Sequence, residues 1–260
     1  MKNTIIEVAP VAFLKHVNNP ITPEEIAEEV YKCYKEGATV CHLHMRDEQG
    51  RETSDITGFL KTLRLIKEKC EILVNVKKES YKAIEPYLNE FPEVKIAPVH
   101  VGSVTLFDFA IGCKWSEIVN DVEELSELKL IQEMCIFDLA NIHNTKKLIK
   151  LGKVNTPYYY TFYLNYPGEL PVSKKNIKIL LDEMDTDDIW FYAECDRRNF
   201  ENIELALKLG GNIRVGFEDS FHDDEFATNH MMVKKVAKLS KECGRGIADI
   251  NETKRILGVK

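Results

Sequence analysis

Two histidines one residue apart stand in "ATVCHLHMRD" (38–47), and adjacent carboxylates stand in "RVGFEDS" (214–220). On a strand, side chains alternate faces, so His42 and His44 share a face with Val40, while Cys41, Leu43 and Met45 take the other, apolar one. Two imidazoles stacked on one face bury polar nitrogens that need partners, and a metal ion satisfies both at once. In the second segment, alternation puts Arg214, Gly216 and Glu218 on one face, with Asp219 following directly. Two imidazoles and one carboxylate, with positions left for water or substrate, form a donor set used for catalytic Zn2+, and Fe2+ or Mn2+ take similar donors. The residues alone leave a plainer reading open, in which the histidines are hydrogen-bonded core residues and Glu218 is a strand-end surface acid.

These residues meet only if the fold brings positions 42–44 and 214–219 together. Short apolar runs predict eight strands, at 3–9, 39–44, 71–76, 94–101, 130–137, 158–164, 189–194 and 212–218. Amphipathic, charged segments between them predict helices. In the first, "TPEEIAEEVYKCYKEG", Thr22 serves as N-cap, Pro23 opens the helix and Gly37 stops it. Eight strand–helix units in one 260-residue domain (1–260) predict an α/β fold of the (β/α)8, TIM-barrel type. A doubly wound sheet is the runner-up, but it calls for a glycine-rich turn after the first strand, where this chain reads "APVAFLKHVNNP". In a barrel, strands two and eight both flank strand one, roughly 10 Å apart at ~4.8 Å per strand, and active sites lie at strand C-terminal ends. His42, His44 and Glu218 then converge on one ion.

The composition, 44% hydrophobic and 30% charged, is that of a globular chain. A formal net charge of −7 argues against nucleic acid or an acidic membrane surface as a partner. Seven cysteines scattered singly, with no CxxC pair, fit reduced cytoplasmic thiols. The N-terminal apolar run is broken by Glu7 and Pro10, so no signal peptide is expected, and no stretch approaches the ~18 apolar residues of a spanning helix.

The stretch 22–53, with "LGGNIRVGFEDSF" (209–221) and the segment 227–258, resembles the β-keto acid cleavage enzymes. The pairing of an HLHxRD strand with an NxRVGxED strand is more specific than either motif alone. The resemblance implies a TIM-barrel acyltransferase, commonly a homotetramer, that uses one Zn2+ to react a β-keto acid with acetyl-CoA, giving acetoacetate and a new acyl-CoA. Carried over by position, it implies His42, His44 and Glu218 as metal ligands and Arg214 and Asp219 as the reactive pair beside the metal.

Departures from the family pattern fall on the substrate side. Lys77, in "KKES" (77–80), stands where the family has a catalytic serine in a Ser-Thr-Gly-Gly turn; Cys135, in "CIFD", stands at a family glutamate. His100 replaces a frequent asparagine and Glu194 a tiny residue, so these four are expected to shape substrate binding. An ion pair between Lys77 and Glu194 inside the barrel mouth is one expectation. "VAFLKH" (11–16) offers no carboxylate for a substrate amino group, which argues against the founding aminohexanoate substrate. Two other functions compete: a metal-containing binding homologue with altered catalysis, favoured by the lost turn, and a metal-dependent TIM-barrel hydrolase. Hydrolases of that type carry the HxH pair on strand one, with a later histidine that strands six and seven lack here. His143 and His230 are expected on helix surfaces, and His222 in an acidic loop.

Overall fold

The computed structural model describes residues 2–12, 18–47, 49, 51–106, 109–197, 199–219 and 228–259, the side chains of 78, 79, 106 and 109 excepted. Eight parallel strands close into a barrel: β1 (Ile6–Val8), β2 (Val40–Leu43), β3 (Leu73–Val76), β4 (Val94–His100), β7 (Ile131–Ile136), β8 (Tyr159–Leu164), β9 (Ile189–Glu194) and β10 (Asn212–Val215). The missing numbers, β5 (Val104–Leu106) and β6 (Phe109–Ile111), form an antiparallel hairpin after β4. That hairpin was not foreseen: its strands are three residues each, too short for a period-2 signal.

Helices follow where amphipathic segments predict them. Helix α1 (Pro23–Lys35) opens with a reciprocal capping box between Thr22 and Glu25, and Gly37 closes it at φ +114°. The segment 78–87 is α3 (Lys78–Ile84) followed by a 3-10 turn over Glu85–Tyr87, where Pro86 cannot extend α-helical bonding. Among the described residues no helix is long and apolar enough to cross a membrane.

Strand alternation sorts the core into two compartments. Cys41, Leu43, Val74, Val76, Met134, Ile136, Tyr160, Phe162, Trp190 and Tyr192 belong to the layer packed against the helices. The other parity, Val40, Leu73, Ile96, Tyr159 and Phe191, fills the barrel floor, with Ala248 and Leu257 packed against it. Above that floor the interior turns polar: Asn75 of β3 donates to Glu7 of β1 at 2.9 Å and to Glu133 of β7 at 2.6 Å. None of those three strands neighbours another of them, so these bonds cross the barrel interior.

Both ends of the barrel order meet at β1, which pairs with β10 on one side and β2 on the other. Strand β10 ends at Val215, three residues short of the expected 218. At Gly216 the chain turns with φ +152°, and a Cβ there would lie 2.1 Å from the Ala9 carbonyl oxygen. Only glycine tolerates both the conformation and that approach.

Candidate active site

The three sequence-chosen donors do converge. His42 Nε2 and His44 Nε2 are 3.0 Å apart, and each lies 3.5 Å from Glu218 Oε1. His42 is held by β2, and His44 follows one residue beyond its end on the same face. Glu218 arrives by a different route from the one expected, through the turn after β10 rather than along an extended strand. In that turn the Glu218 N–H donates to Ala9 at 3.2 Å, the Asp219 N–H donates to Gly216 at 3.2 Å, and the Phe217 N–H donates to Asn229 Oδ1 at 2.9 Å.

The donors fit a divalent ion. Bonds of about 2.0–2.1 Å in a tetrahedron put ligand atoms roughly 3.3 Å apart, the range of these contacts. The protonation pattern points the same way. His44 Nδ1 is 2.5 Å from Glu52 Oε1, so Nδ1 carries the proton and the Nε2 lone pair faces Nε2 of His42 and the Glu218 oxygen. Two acceptors, the His44 Nε2 lone pair and the Glu218 oxygen, thus face His42 Nε2, and a cation or a proton has to sit among them. Burial pushes the His42 imidazole well below its usual range, which keeps it neutral as a ligand must be; the Glu218 carboxylate, and less so the Asn75 amide, act in the opposite direction. Burial would lower His44 too, but the Glu218 and Glu52 carboxylates outweigh it and raise it.

Arg214, pointing inward from β10, ties this group to Asp219. Its Nε donates to Asp219 Oδ2 at 3.0 Å, and its Nη2 donates to Asp219 Oδ1 at 3.2 Å and to Glu218 Oε1 at 2.8 Å. The guanidinium lies 5.2 Å from the Tyr163 ring centroid, and the Tyr166 hydroxyl donates to Asp219 at 3.1 Å. Burial raises the Asp219 carboxyl above its usual range even though Arg214 pulls it down. A buried carboxylate so held is a stronger base than one in water.

Of the four expected substrate residues, the structure sets two side by side on the barrel interior and pairs a third with the acid that holds His44. His100 and Cys135 are register partners on β4 and β7, both on the inward parity, and His100 makes an edge contact with Phe137 at 5.8 Å. Cys135 packs in a buried cluster with Phe137, Tyr163, Tyr166, Ala193 and Cys195, a patch of the interior that is mostly aromatic and apolar. Lys77, at the N-cap of α3, donates to Glu52 at 3.0 Å, so it braces the partner of His44.

Glu194 is the correction. It shares the parity of Trp190 and Tyr192 and lies between β9 and α7 (Glu201–Lys208), accepting from Tyr192 Oη at 2.8 Å and Asn202 Nδ2 at 3.1 Å. Because Ala193 takes the inward position, Glu194 cannot line the mouth, and the expected Lys77–Glu194 pair is replaced by Lys77–Glu52. His143 is exposed and His230 meets Glu29 at 3.3 Å, as helix-surface residues do. His222 and most of the stretch 11–16 lie outside the described residues.

Sequence reasoning missed Glu7, Asn75, Glu133 and Glu52. A signal existed for the first and third: each is a carboxylate inside an otherwise apolar strand, at inward parity. Glu52 carries none, since it comes beside His44 through the antiparallel Arg46–Glu52 bridge.

The whole chain has relatives. A family model described as beta-keto acid cleavage enzyme matches residues 3–259. The chain is 29% identical over 252 residues to a 3-keto-5-aminohexanoate cleavage enzyme of Fusobacterium nucleatum, covering 93% of this chain and 91% of that one. It is 24% identical to a 3-oxoadipate:acetyl-CoA acetyltransferase of Cupriavidus necator over 92% of this chain and 88% of the relative. The apo structure of ObcA matches with a TM-score of 0.75 at 16% identity, over 93% of this chain, which spans 65% of ObcA's length; that likeness shows the fold. With a family match running from ahead of β1 to beyond the last helix (Ile250–Ile256), the chain belongs to the beta-keto acid cleavage enzyme family.

Proposed function

We propose that this chain is a metal-dependent acyltransferase that cleaves a β-keto acid with acetyl-CoA, releasing acetoacetate and a new acyl-CoA. The observation that carries this reading is the joining of His42, His44 and Glu218 to the Arg214–Asp219 pair through one Glu218 oxygen, 3.5 Å from each imidazole and 2.8 Å from the guanidinium. A divalent ion held by the three ligands supplies Lewis-acid stabilisation of negative charge on the keto acid's oxygens. Zn2+ suits the donor set, with Fe2+ or Mn2+ as alternatives.

The chain's own residues do the rest. Asp219 accepts the C2 proton of the keto acid, which is acidic because it lies between two carbonyl groups, and Arg214 keeps its carboxylate aimed and ionised. The resulting carbon nucleophile attacks the thioester carbonyl of acetyl-CoA. Over the full cycle the acetyl C–S bond and the substrate C2–C3 bond break, a C2–acetyl bond forms, the released acyl group takes the CoA sulfur, and the electron pair left on C2 takes back the proton held by Asp219. Atoms and charge balance without a redox partner.

On the substrate side, His100, Cys135 and the aromatic patch favour an uncharged acyl chain, since that patch offers few polar partners. Lys77 is committed to Glu52 and serves the metal centre more than an anionic substrate. Four buried and three half-buried free cysteines support a reducing, cytoplasmic setting, and family resemblance supports a homotetrameric assembly of one-domain subunits. The test is acyl-CoA formation followed by mass spectrometry, using metal-loaded protein, acetyl-CoA and neutral, cationic and anionic β-keto acids. Neutral substrates are expected to give product that His42→Ala abolishes. Stoichiometric metal without turnover of any keto acid would replace this reading with that of a binding homologue.

A further inference from the structure

Two polar atoms beside the three donors have no hydrogen-bond partner among the described residues. His42 and Asn75 are register partners on adjacent parallel strands, and both side chains face the barrel interior. Asn75 is fully buried and His42 nearly so. Among the described residues, His42 Nδ1 and Asn75 Oδ1 are both buried polar atoms without a hydrogen-bond partner. One needs an acceptor if it carries a proton, and the other is an acceptor. An orphaned buried polar atom costs roughly 1–3 kcal/mol, so two complementary orphans on facing residues are a strong sign of a contact that closes in the working protein.

The orientation of the Asn75 amide is not free. Its nitrogen lies 2.9 Å from Glu7 Oε1 and 2.6 Å from Glu133 Oε2. Two carboxyl oxygens at that range need donors, which fixes the NH2 group toward them and leaves the carbonyl oxygen as the atom free to serve the register partner, His42. The two carboxyl groups are themselves anchored, by Tyr159 Oη at 3.1 Å on Glu7 and Tyr163 Oη at 2.9 Å on Glu133.

We propose that Asn75 is the outer partner of His42, accepting the Nδ1 proton so that Nε2 faces the metal, and that Glu7 and Glu133 lock the amide in that orientation. The inference rests on His42 being a metal ligand, but not on which reaction the metal serves. It gives the two histidines matched supports: His44 Nδ1 donates to Glu52, and His42 Nδ1 donates to Asn75. Outer partners of this kind fix the ring tautomer and typically change metal affinity by about 10–100-fold. Asn75, Glu7 and Glu133 are positioning residues in this scheme.

The test measures the Zn2+ dissociation constant by chelator competition on the intact protein, wild type against Asn75→Leu, with melting of both metal-free proteins as a folding check. Loss of about 10–100-fold in affinity with a folded variant is expected. A second measurement needs no variant: 15N–1H correlation of the histidine rings in Zn2+-loaded wild type is expected to show His42 protonated at Nδ1, coordinated through Nε2 and slow to exchange. Equal affinity in a folded Asn75→Leu, or coordination of His42 through Nδ1, would overturn the proposal. Failure of the wild type itself to bind Zn2+, Fe2+ or Mn2+ would remove the metal centre and this inference together, an outcome distinct from the other two.

Discussion

Replacing Glu7 with glutamine is expected to remove most of a pH dependence from the stability of the metal-free barrel. Glu7 has no solvent exposure and faces Glu133, Arg214, Asn75 and Tyr159. Burial first, and the Glu133 carboxyl second, push it up to about 8 against the pull of Arg214, whose Nη1 lies 3.8 Å away. In the unfolded chain it titrates at the ordinary 4.5. Between those values the folded protein binds one more proton than the unfolded one, so stability falls as pH rises through the interval and levels off above 8. Each pH unit is worth about 1.4 kcal/mol, and an interval of about 3.5 units sets a ceiling of about 5 kcal/mol. A glutamine accepts from Asn75 as Glu7 does, its NH2 group donates to Tyr159 once that hydroxyl, which donates to Glu7 here, turns, and it stays neutral throughout. Urea unfolding of both proteins with chelator at pH 5.5, 6.5, 7.5 and 8.5 reads the effect. The wild type should lose ground to Glu7→Gln by roughly 1 kcal/mol per pH unit up to about 8. A difference that does not change with pH, or a variant that loses ground as pH rises, would refute the reasoning.

Gly216→Ala is expected to cost about 1–3 kcal/mol from its backbone angle alone, with more from a Cβ 2.1 Å from the Ala9 oxygen. The midpoint of thermal melting checks the stability, and a weaker Zn2+ dissociation constant should accompany it as Glu218 is displaced. Glu194→Ala should leave KM for the keto acid unchanged while lowering stability by about 1–3 kcal/mol, because Tyr192 and Asn202 lose their acceptor. A several-fold change in KM without loss of stability would return Glu194 to the mouth.

The barrel was legible because each strand is a short apolar run and each helix an amphipathic one, with particular cap chemistry at residues such as Thr22 and Gly37. Alternation gave the inward histidines, and closure of the barrel gave their meeting with Glu218. Alternation misleads in one place and family position in another. At 212–218 it was extended past Val215, where Gly216 leaves the strand, and Glu218 reaches the same place through a turn bonded to Ala9. At Glu194 family position points to the mouth, whereas strand parity gives the inward place to Ala193. The partners of Lys77, His44 and Asn75 come from elements distant in sequence, and no local spacing encodes which of several nearby acids a lysine or imidazole will find.

The polar layer spanned by Glu7, Asn75 and Glu133 has a consequence for how this barrel can diversify. Glu133 and Cys135 sit two residues apart on one strand and point the same way, yet one is wired to the opposite wall and the other lies among Phe137, Tyr163 and Ala193, nearer the strand ends. Depth in the barrel, not position around its rim, separates what can vary from what cannot. Selection for new acyl groups is free to exchange side chains at the level of His100, Cys135 and Ala193, whereas a change one layer down is felt by β1, β3 and β7 together. A library meant to retune selectivity belongs in the upper layer alone.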